Sequence, residues 1–408
     1  MFDIDTDTYN EQKIKNKSYS TSTAVYQILN YDKDILCDDD EINSVYRSIV
    51  IDPSNKNILC FSPPKSIPMD SFVEKYPELN DKILVNEIIE GTMINLFYDK
   101  RIESWEISSR SAIGGNYWYF RNQYDSESQE QLTFRDMFVD AFRVPINTPL
   151  NSIPALQEFN KSYCYSFVLQ HPENHIVLAI QRPKLYLVAV YELFKNNKVS
   201  IVSLSDSKSW VDSIGLVEFP NQYDISGKSY TDMENSYCTL NNSYNSIGLM
   251  YTHLETGERS QMLNPSYDNM KKIRGNNPNL QYQYLALYRT GKVKEFLNFF
   301  PRYKKLFYQF YQQSNNFVKT VHDAYVMYYV KKRGKEITIS KPIFKHIYKL
   351  HHELYLPSIA VPGEKLIITR QMVANYFNKM EPKEMLYHLN YEKRVYTKDN
   401  EPKDVDQI

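Results

Sequence analysis

Over the first two thirds of the chain, apolar residues alternate with polar ones or gather in short β-branched runs, the pattern of strands. The run 48–52 (Ser-Ile-Val-Ile-Asp) closes on Pro53-Ser54-Asn55, which predicts a strand and a turn, with 58–61 as the returning strand. Residues 87–98 and 102–110 predict a second pair around a turn at Asp99-Lys100. Further strands are expected over 164–169, 176–180, 185–191 and around Gly248-Leu249-Met250. One helix interrupts this layout: over 133–142, Phe134, Met137, Phe138, Ala141 and Phe142 share a face, and Thr133 is placed to cap it.

From Tyr267 onward the spacing changes to three and four residues. Phe296, Phe299, Phe300, Tyr303, Phe307, Phe310 and Tyr311 form a stripe expected to be buried core. Helices are predicted over 316–332, 342–355 and 371–379, with Pro357, Pro362 and Gly363 as breaks before the last. The polar stretch 1–20 is expected to be flexible and the charged stretch 393–408 to be a frayed tail. The expected organisation is therefore a flexible 1–20, a β-rich domain over 21–267, a basic helical domain over 268–392 and the tail.

Composition narrows the class. The chain has 408 residues, 42% hydrophobic and 24% charged, as a folded protein of two or three domains would. No apolar run approaches the roughly 18 residues of a membrane span, and the polar, acidic start does not read as a secretory signal. Cys37, Cys60, Cys164 and Cys238 lack zinc-site spacing and fit a reducing compartment, so a cytoplasmic location is expected, in a host cell or a virion. The 35 Tyr against 11 Gly, with abundant Asn, Lys and Ile, point to an AT-rich genome such as that of a large DNA virus or certain protists.

The net charge of −1 hides an asymmetry: residues 1–267 hold 23 Lys+Arg against 36 Asp+Glu, and residues 268–408 hold 25 against 13. A basic half suggests RNA or DNA as partner, through Lys271, Lys272, Arg274, Lys304, Lys305, Lys331, Lys332 and Arg333. A solvated basic face, or neutralisation of one half by the other, is the alternative.

Candidate chemistry is sparse. Asp38-Asp39-Asp40-Glu41 reads as a solvated turn, and Gly114-Gly115 lacks the Lys-Ser/Thr of a phosphate loop. His351 and His352 are adjacent and diverge by about 100° on a helix, so they do not converge on a metal. His171 and His175 would share a face of a strand near Cys164, a weak ligand pair. No metal site is expected.

The segment Asn86-Glu87-Ile88-Ile89-Glu90-Gly91-Thr92-Met93-Ile94-Asn95 carries more. It resembles the active-site strand of nucleotidyltransferases, where Lys-Xaa-Asp-Gly supplies the lysine that is covalently nucleotidylated. Ile88 stands at the lysine, Glu90 at the aspartate, and Gly91 is retained. Other segments resemble the phage-type, tRNA-repair RNA ligases in the same order. Tyr46-Arg47-Ser48-Ile49-Val50 is similar to the family's Arg-Gly-Ile strand, and Lys65 lies in a loop where the family has a functional lysine. Trp105-Glu106-Ile107-Ser108-Ser109-Arg110 is similar to the next strand, which ends in a basic residue. Residues 165–177 resemble Phe-Glu-Phe-Val-Ser-Pro-Xaa-Asn-Arg-Ile-Val, with Val168 at the glutamate. Ser246-Ile247-Gly248-Leu249-Met250 resembles Glu-Gly-Tyr-Val, with Ile247 at the metal-side glutamate, and Gln261 and Leu263 stand at Lys-Xaa-Lys.

The resemblance covers about residues 20–270 and implies an α+β protein. It implies a ligase-like, antiparallel-sheet nucleotidyltransferase core, unrelated to ATP-grasp, and a C-terminal all-helical domain. It also implies lost chemistry, because the lysine nucleophile, the carboxylates for Mg²⁺ and the phosphate cations are replaced together. Arg47, Lys65, Gly91 and Arg110 would be remnants of a nucleotide pocket, which the apolar replacements are expected to let collapse. The expected protein is a degenerate ligase of a large DNA virus that binds nucleic acid or serves as a scaffold, with no cofactor. Two alternatives stay open: an active ligase using ATP, Mg²⁺ and a displaced lysine such as Lys65, and a virion assembly protein with viral protein partners. A chance match of the 86–95 segment also stays open.

Overall fold

A computed structural model describes residues 1–37, 40–117, 132–174, 176–275, 277, 279–360 and 365–391. The chain divides into two compact units, Met1–Arg274 and Gly275–Ile408. The helix Pro265–Arg274 therefore belongs to the first unit, and the division falls seven residues later than the change of periodicity suggests.

The first unit is α+β and antiparallel almost throughout. Its strands are β1 (Phe2–Asp3), β2 (Ile14–Ser20), β3 (Val25–Tyr31), β4 (Ile49–Ile51), β5 (Ile58–Phe61), β6 (Ile83–Glu87) and β7 (Thr92–Asp99). They continue with β8 (Ser104–Ser108), β9 (Tyr163–Gln170), β10 (Lys184–Leu193), β11 (Lys198–Val202), β12 (Val217–Glu218), β13 (Gly248–His253) and β14 (Arg259–Leu263). One sheet runs β1-β11-β10-β9-β7-β8 with β12 beside β10; a second runs β2-β3-β4-β5; a third runs β14-β13-β6.

Alternation in the central strand β9 explains the layering. Tyr165, Phe167 and Leu169 face one way, into a core with Trp105, Phe159 and the helix Phe134–Asp140. Cys164 faces the other way, towards Tyr26, Ile28, Ile49 and Phe61 of the four-stranded sheet. The helix starts as its sequence suggests: Thr133 and Asp136 form a reciprocal capping box.

Three expectations are corrected. Residues 1–20 are not a loose end: β1 pairs with β11 and β2 with β3. Strand β2 is mostly exposed and carries Lys15 and Lys17, the composition of a protected sheet edge, which reads as disorder in sequence. Residues 88–91 are not strand but the crossing from β6 in the three-stranded sheet to β7 in the seven-stranded one. Residues 176–180 are not strand either, for a reason given below.

The second unit is helical: Leu280–Arg289, Val293–Phe299, Lys304–Tyr325, Lys341–Lys349, Arg370–Asn378 and Pro382–Leu389 are its longer helices. Lys304–Tyr325 begins earlier than predicted and continues as a π-helical turn over Val326–Val330. The aromatic stripe divides: Phe296, Phe300, Phe307 and Phe310 are buried, with Phe296 and Phe307 stacked at 5.0 Å, whereas Phe299 and Tyr311 are exposed.

Candidate functional site

The expected collapse has not happened. A cleft of about 550 Å³ lies between the seven-stranded and three-stranded sheets, within the size range of ligand pockets. Met93 of β7 and Val168 of β9, register partners, line one wall, and Met250, Thr252, Arg259 and Gln261 of β13 and β14 line another. The sheets are held apart by their own ladders and by separate cores. Apolar side chains in the gap do not by themselves bring them together.

Ile88, Gly91, Arg47, Lys65, Val168 and Gln261 are brought together around this cleft. Ile88 donates its backbone N–H to the Gly248 carbonyl at 3.0 Å, and its alkyl side chain offers no nucleophile. Gly91 is dictated by close approach, since a Cβ there would lie 2.4 Å from the Leu169 carbonyl oxygen. Gly248 is similar: a Cβ would meet the Met262 carbonyl oxygen at 2.1 Å.

Four predicted positions stand outside the lining. Ile247 is buried and Leu263 is exposed on β14. Arg110 sits behind Tyr31, its guanidinium 4.6 Å over the ring and donating to the Tyr31 carbonyl at 2.8 Å. Glu90 is buried, and its carboxylate accepts the backbone N–H groups of Ile176, Val177 and Leu178 and the hydroxyl of Tyr267. This is why 176–180 is not a strand. The amides that a ladder would use are taken by the Glu90 carboxylate.

The residue that sequence reading missed is Arg259. It lies two positions before Gln261, on the same face of β14, so period-two spacing could have found it. It is 9% exposed and lines the cleft. One guanidinium nitrogen, Nη2, donates to the Pro64 carbonyl at 2.7 Å, which ties the Lys65 loop to β14. Its Nε is buried with no hydrogen-bond partner. Burial first, and then the Arg47 charge, pull its pKa down to about 10. Burial likewise lowers Arg47, with Arg110 adding to the effect, and Lys33 is lowered by burial, Arg110 and Arg47. These groups lower one another because cations gather here with little acid to offset them. Glu87 is the carboxylate in the lining, and its Oε1 accepts the Asn221 N–H at 2.9 Å.

The cleft therefore suits an anion, and phosphate oxygens fit Arg47, Arg259 and Lys65. For Mg²⁺, which proteins hold through one or two carboxylates together with ligand phosphates, the described lining offers Glu87. Among the described residues no group of three or more His, Cys, Asp or Glu side chains could hold a metal. The other candidates are spoken for. His171 bonds Asp140 at 3.1 Å, and His175 lies outside the described residues. His351 stacks on Tyr329 at 3.8 Å. Asp40 caps a short helix and pairs with Lys13 at 2.6 Å, while Asp38 and Asp39 lie outside the described residues.

Of the basic positions, Lys304, Lys305, Lys331, Lys332 and Arg333 are exposed on the second unit. Lys271 and Lys272 are exposed on the first, Lys272 pairing with Asp268 at 2.7 Å. Arg274 is a correction. It is 1% exposed and packed in the first unit, because the last turn of its helix points it inward, so it presents no charge to a phosphate backbone.

No model of a protein family matches the chain. It is similar to the immediate-early protein ICP-46 homolog of Invertebrate iridescent virus 6, with 23% identity over 322 residues, 74% of this chain and 66% of that protein. The homolog in Invertebrate iridescent virus 3 is 22% identical over 385 residues, 89% of this chain and 77% of that one. An RNA ligase of Rhodothermus phage RM378 is 29% identical over 104 residues, 26% of this chain and 22% of the ligase. The chain thus spans just under two thirds of the first relative and about a fifth of the ligase. Among solved structures, a putative ATP-dependent DNA ligase from Aquifex aeolicus superposes with a TM-score of 0.41 at 10% identity, covering 86% of this chain and 77% of that one. Naegleria gruberi RNA ligase, solved with ATP and Mn, gives 0.38 at 12% identity, covering 52% and 58%. The resemblance to RNA ligases and to proteins of a large DNA virus thus appears in sequence as well as in motif order. No helix among the described residues is long and apolar enough to cross a membrane.

Proposed function

We propose that this is a ligase-like protein that forms no lysyl-nucleotide, holds a phosphate-bearing ligand such as a nucleotide without reacting with it, and binds nucleic acid through its basic helical unit. It would act in infection by a large DNA virus, without catalysis. One observation carries the reading: Arg47 and Arg259 stand together in an open cleft that Ile88, in the segment resembling the lysine motif, also lines. A ligand site that had lost all use would carry no reason to keep a buried, poorly neutralised arginine, which is costly to hold. Among the described lining residues the carboxylate at hand for a metal is Glu87, which already accepts the Asn221 N–H, and this favours holding a ligand over metal-assisted transfer.

The test has two arms. Incubation with α-labelled ATP or GTP and Mg²⁺ or Mn²⁺, followed by a denaturing gel, should leave the protein unlabelled beside an active ligase. Equilibrium dialysis with the same nucleotides should detect binding that Arg259→Gln weakens. A labelled band would overturn the non-catalytic reading, and no binding in dialysis would overturn the ligand reading.

A second reading has one supporting observation. Lys65 lines the same cleft, its Nζ 3.3 Å from the Cys37 carbonyl, so a lysine is within the pocket although not at the motif position. If it were the nucleophile, Lys65→Ala would abolish labelling.

A further inference from the structure

In the helical unit three helices converge on an open groove of about 500 Å³. Tyr284 and Phe307 form its floor, both buried, with rings edge to face at 5.3 Å. Its rim is aromatic and exposed: Tyr288 is 41%, Tyr308 59% and Tyr311 45% accessible. Single exposed aromatic residues are ordinary, but three around one concavity make a contiguous surface. Tyr308 and Tyr311, one turn apart, lie nearly parallel with centroids 6.3 Å apart and an angle of 29°.

Charge selects the occupant. Lys294 and Lys304 are exposed in the groove lining, and no Asp or Glu is among the lining residues. Lys292 and Lys305 extend the cationic surface at this end of the same helices, where Glu295 is the nearby acid and Asp323 lies at the far end of the long helix. An apolar protein segment would cover the rings and leave the ammonium groups unanswered. Flat aromatic faces beside unopposed cations match a chain that presents free base faces and phosphates together. A duplex keeps its bases stacked on one another and offers no such faces.

We infer that this groove binds a single-stranded segment of nucleic acid by stacking bases on Tyr288, Tyr308 and Tyr311, with Lys294 and Lys304 meeting its phosphates. The inference rests on the nucleic-acid reading above and adds to it the place of binding and the unpaired form of the ligand.

Fluorescence anisotropy of the full chain with labelled oligouridine, oligothymidine and a duplex of equal length tests it. Single strands should bind about tenfold or more tighter than duplex. The double variant Tyr308→Ala/Tyr311→Ala should lose about tenfold or more, while Tyr308→Phe/Tyr311→Phe keeps the rings and the affinity. Both sites are exposed, so circular dichroism should be unchanged. The ratio of oligouridine to oligothymidine affinity assigns RNA or DNA. Single-strand binding that survives the alanine variant, or a preference for duplex, would overturn the groove and leave the broader nucleic-acid reading standing. No binding of any oligonucleotide by the unaltered protein would overturn both.

Discussion

Arg259→Gln should stabilise the protein and remove ligand binding together. The pKa of Arg259 falls from 12.5 to about 10 in the fold, through burial first and Arg47 second. At roughly 1.4 kcal/mol per pH unit, the charged form is disfavoured in the native state by about 3 kcal/mol. The sign is that of a depressed base. The penalty is complete at any pH below the folded value and is relieved only as pH rises towards the unfolded value, so at neutral pH all of it is present. Glutamine removes the charge but also the charge-assisted Nη2 bond to the Pro64 carbonyl, a loss of about 1.5–3 kcal/mol. The net expectation is a gain of about 0–1.5 kcal/mol. A bound polyanion should supply the same neutralisation in the unaltered protein. Nucleotide at a hundred times its dissociation constant would add about 3 kcal/mol, which raises the Tm of a unit this size by several degrees. Thermal unfolding followed by tryptophan fluorescence, with and without ATP or pyrophosphate, reads both effects. A variant less stable than the parent without ligand, or stabilised as much as the parent by ligand, would refute the account of a strained cationic wall awaiting an anion.

Other outcomes follow from the same geometry. Glu90→Ala strips four donors of their acceptor, three of them backbone N–H groups, and should cost about 4 kcal/mol in urea unfolding at roughly 1 kcal/mol each; a loss under about 1 kcal/mol would refute its structural role. Ile88→Lys should not restore nucleotide labelling, because Val168 and Ile247 still stand where a ligase needs carboxylates; a labelled band on the gel would show those groups to be dispensable. Lys331→Ala/Lys332→Ala/Arg333→Ala should weaken oligonucleotide binding and reduce the slope of log affinity against log salt by about 2, and an unchanged slope would remove this patch from the interface. Burial, and then His388, hold His346 down to about 3, with Lys345 and Lys349 adding to the effect. Its neutral form is therefore favoured in the fold, so stability is complete above about pH 6.5 and falls as pH drops towards 3. Acid titration of helical circular dichroism should show the second unit softening over that range, and His346→Phe should flatten the curve.

Local signals were legible where their partners are local. The Thr133 cap works through Asp136 three residues on, and strands 48–52 and 58–61 pair across their own turn. What could not be read depends on distant partners. The apolar run 176–180 has the composition of a strand, and only Glu90, 86 residues earlier, diverts its amides. Strand β2 looks disordered because an edge strand has one wet face and needs lysines. Ile88 and Val168 both line the cleft, yet the inferred collapse failed. Cleft width is set by how two sheets are braced, and no residue in the gap encodes it.

That failure changes what the replacements mean. If loss of the lysine and carboxylates had been followed by packing, Arg47 and Arg259 would be buried charges with no purpose, and each would lower stability. An open cleft gives them one. On the proposed reading, the apolar residues leave the cleft without a lysine nucleophile or carboxylates for a metal, while Arg47 and Arg259 remain to grip phosphate. Arg259 does so from the strand where the Lys-Xaa-Lys positions read Gln261 and Leu263. Reaction and grip are separable on that reading because they rest on different side chains: Ile88 at the crossing from β6 and Val168 on β9 for the one, Arg259 on β14 for the other. On the proposed reading, the protein would sense or carry a phosphate ligand where a ligase would consume it.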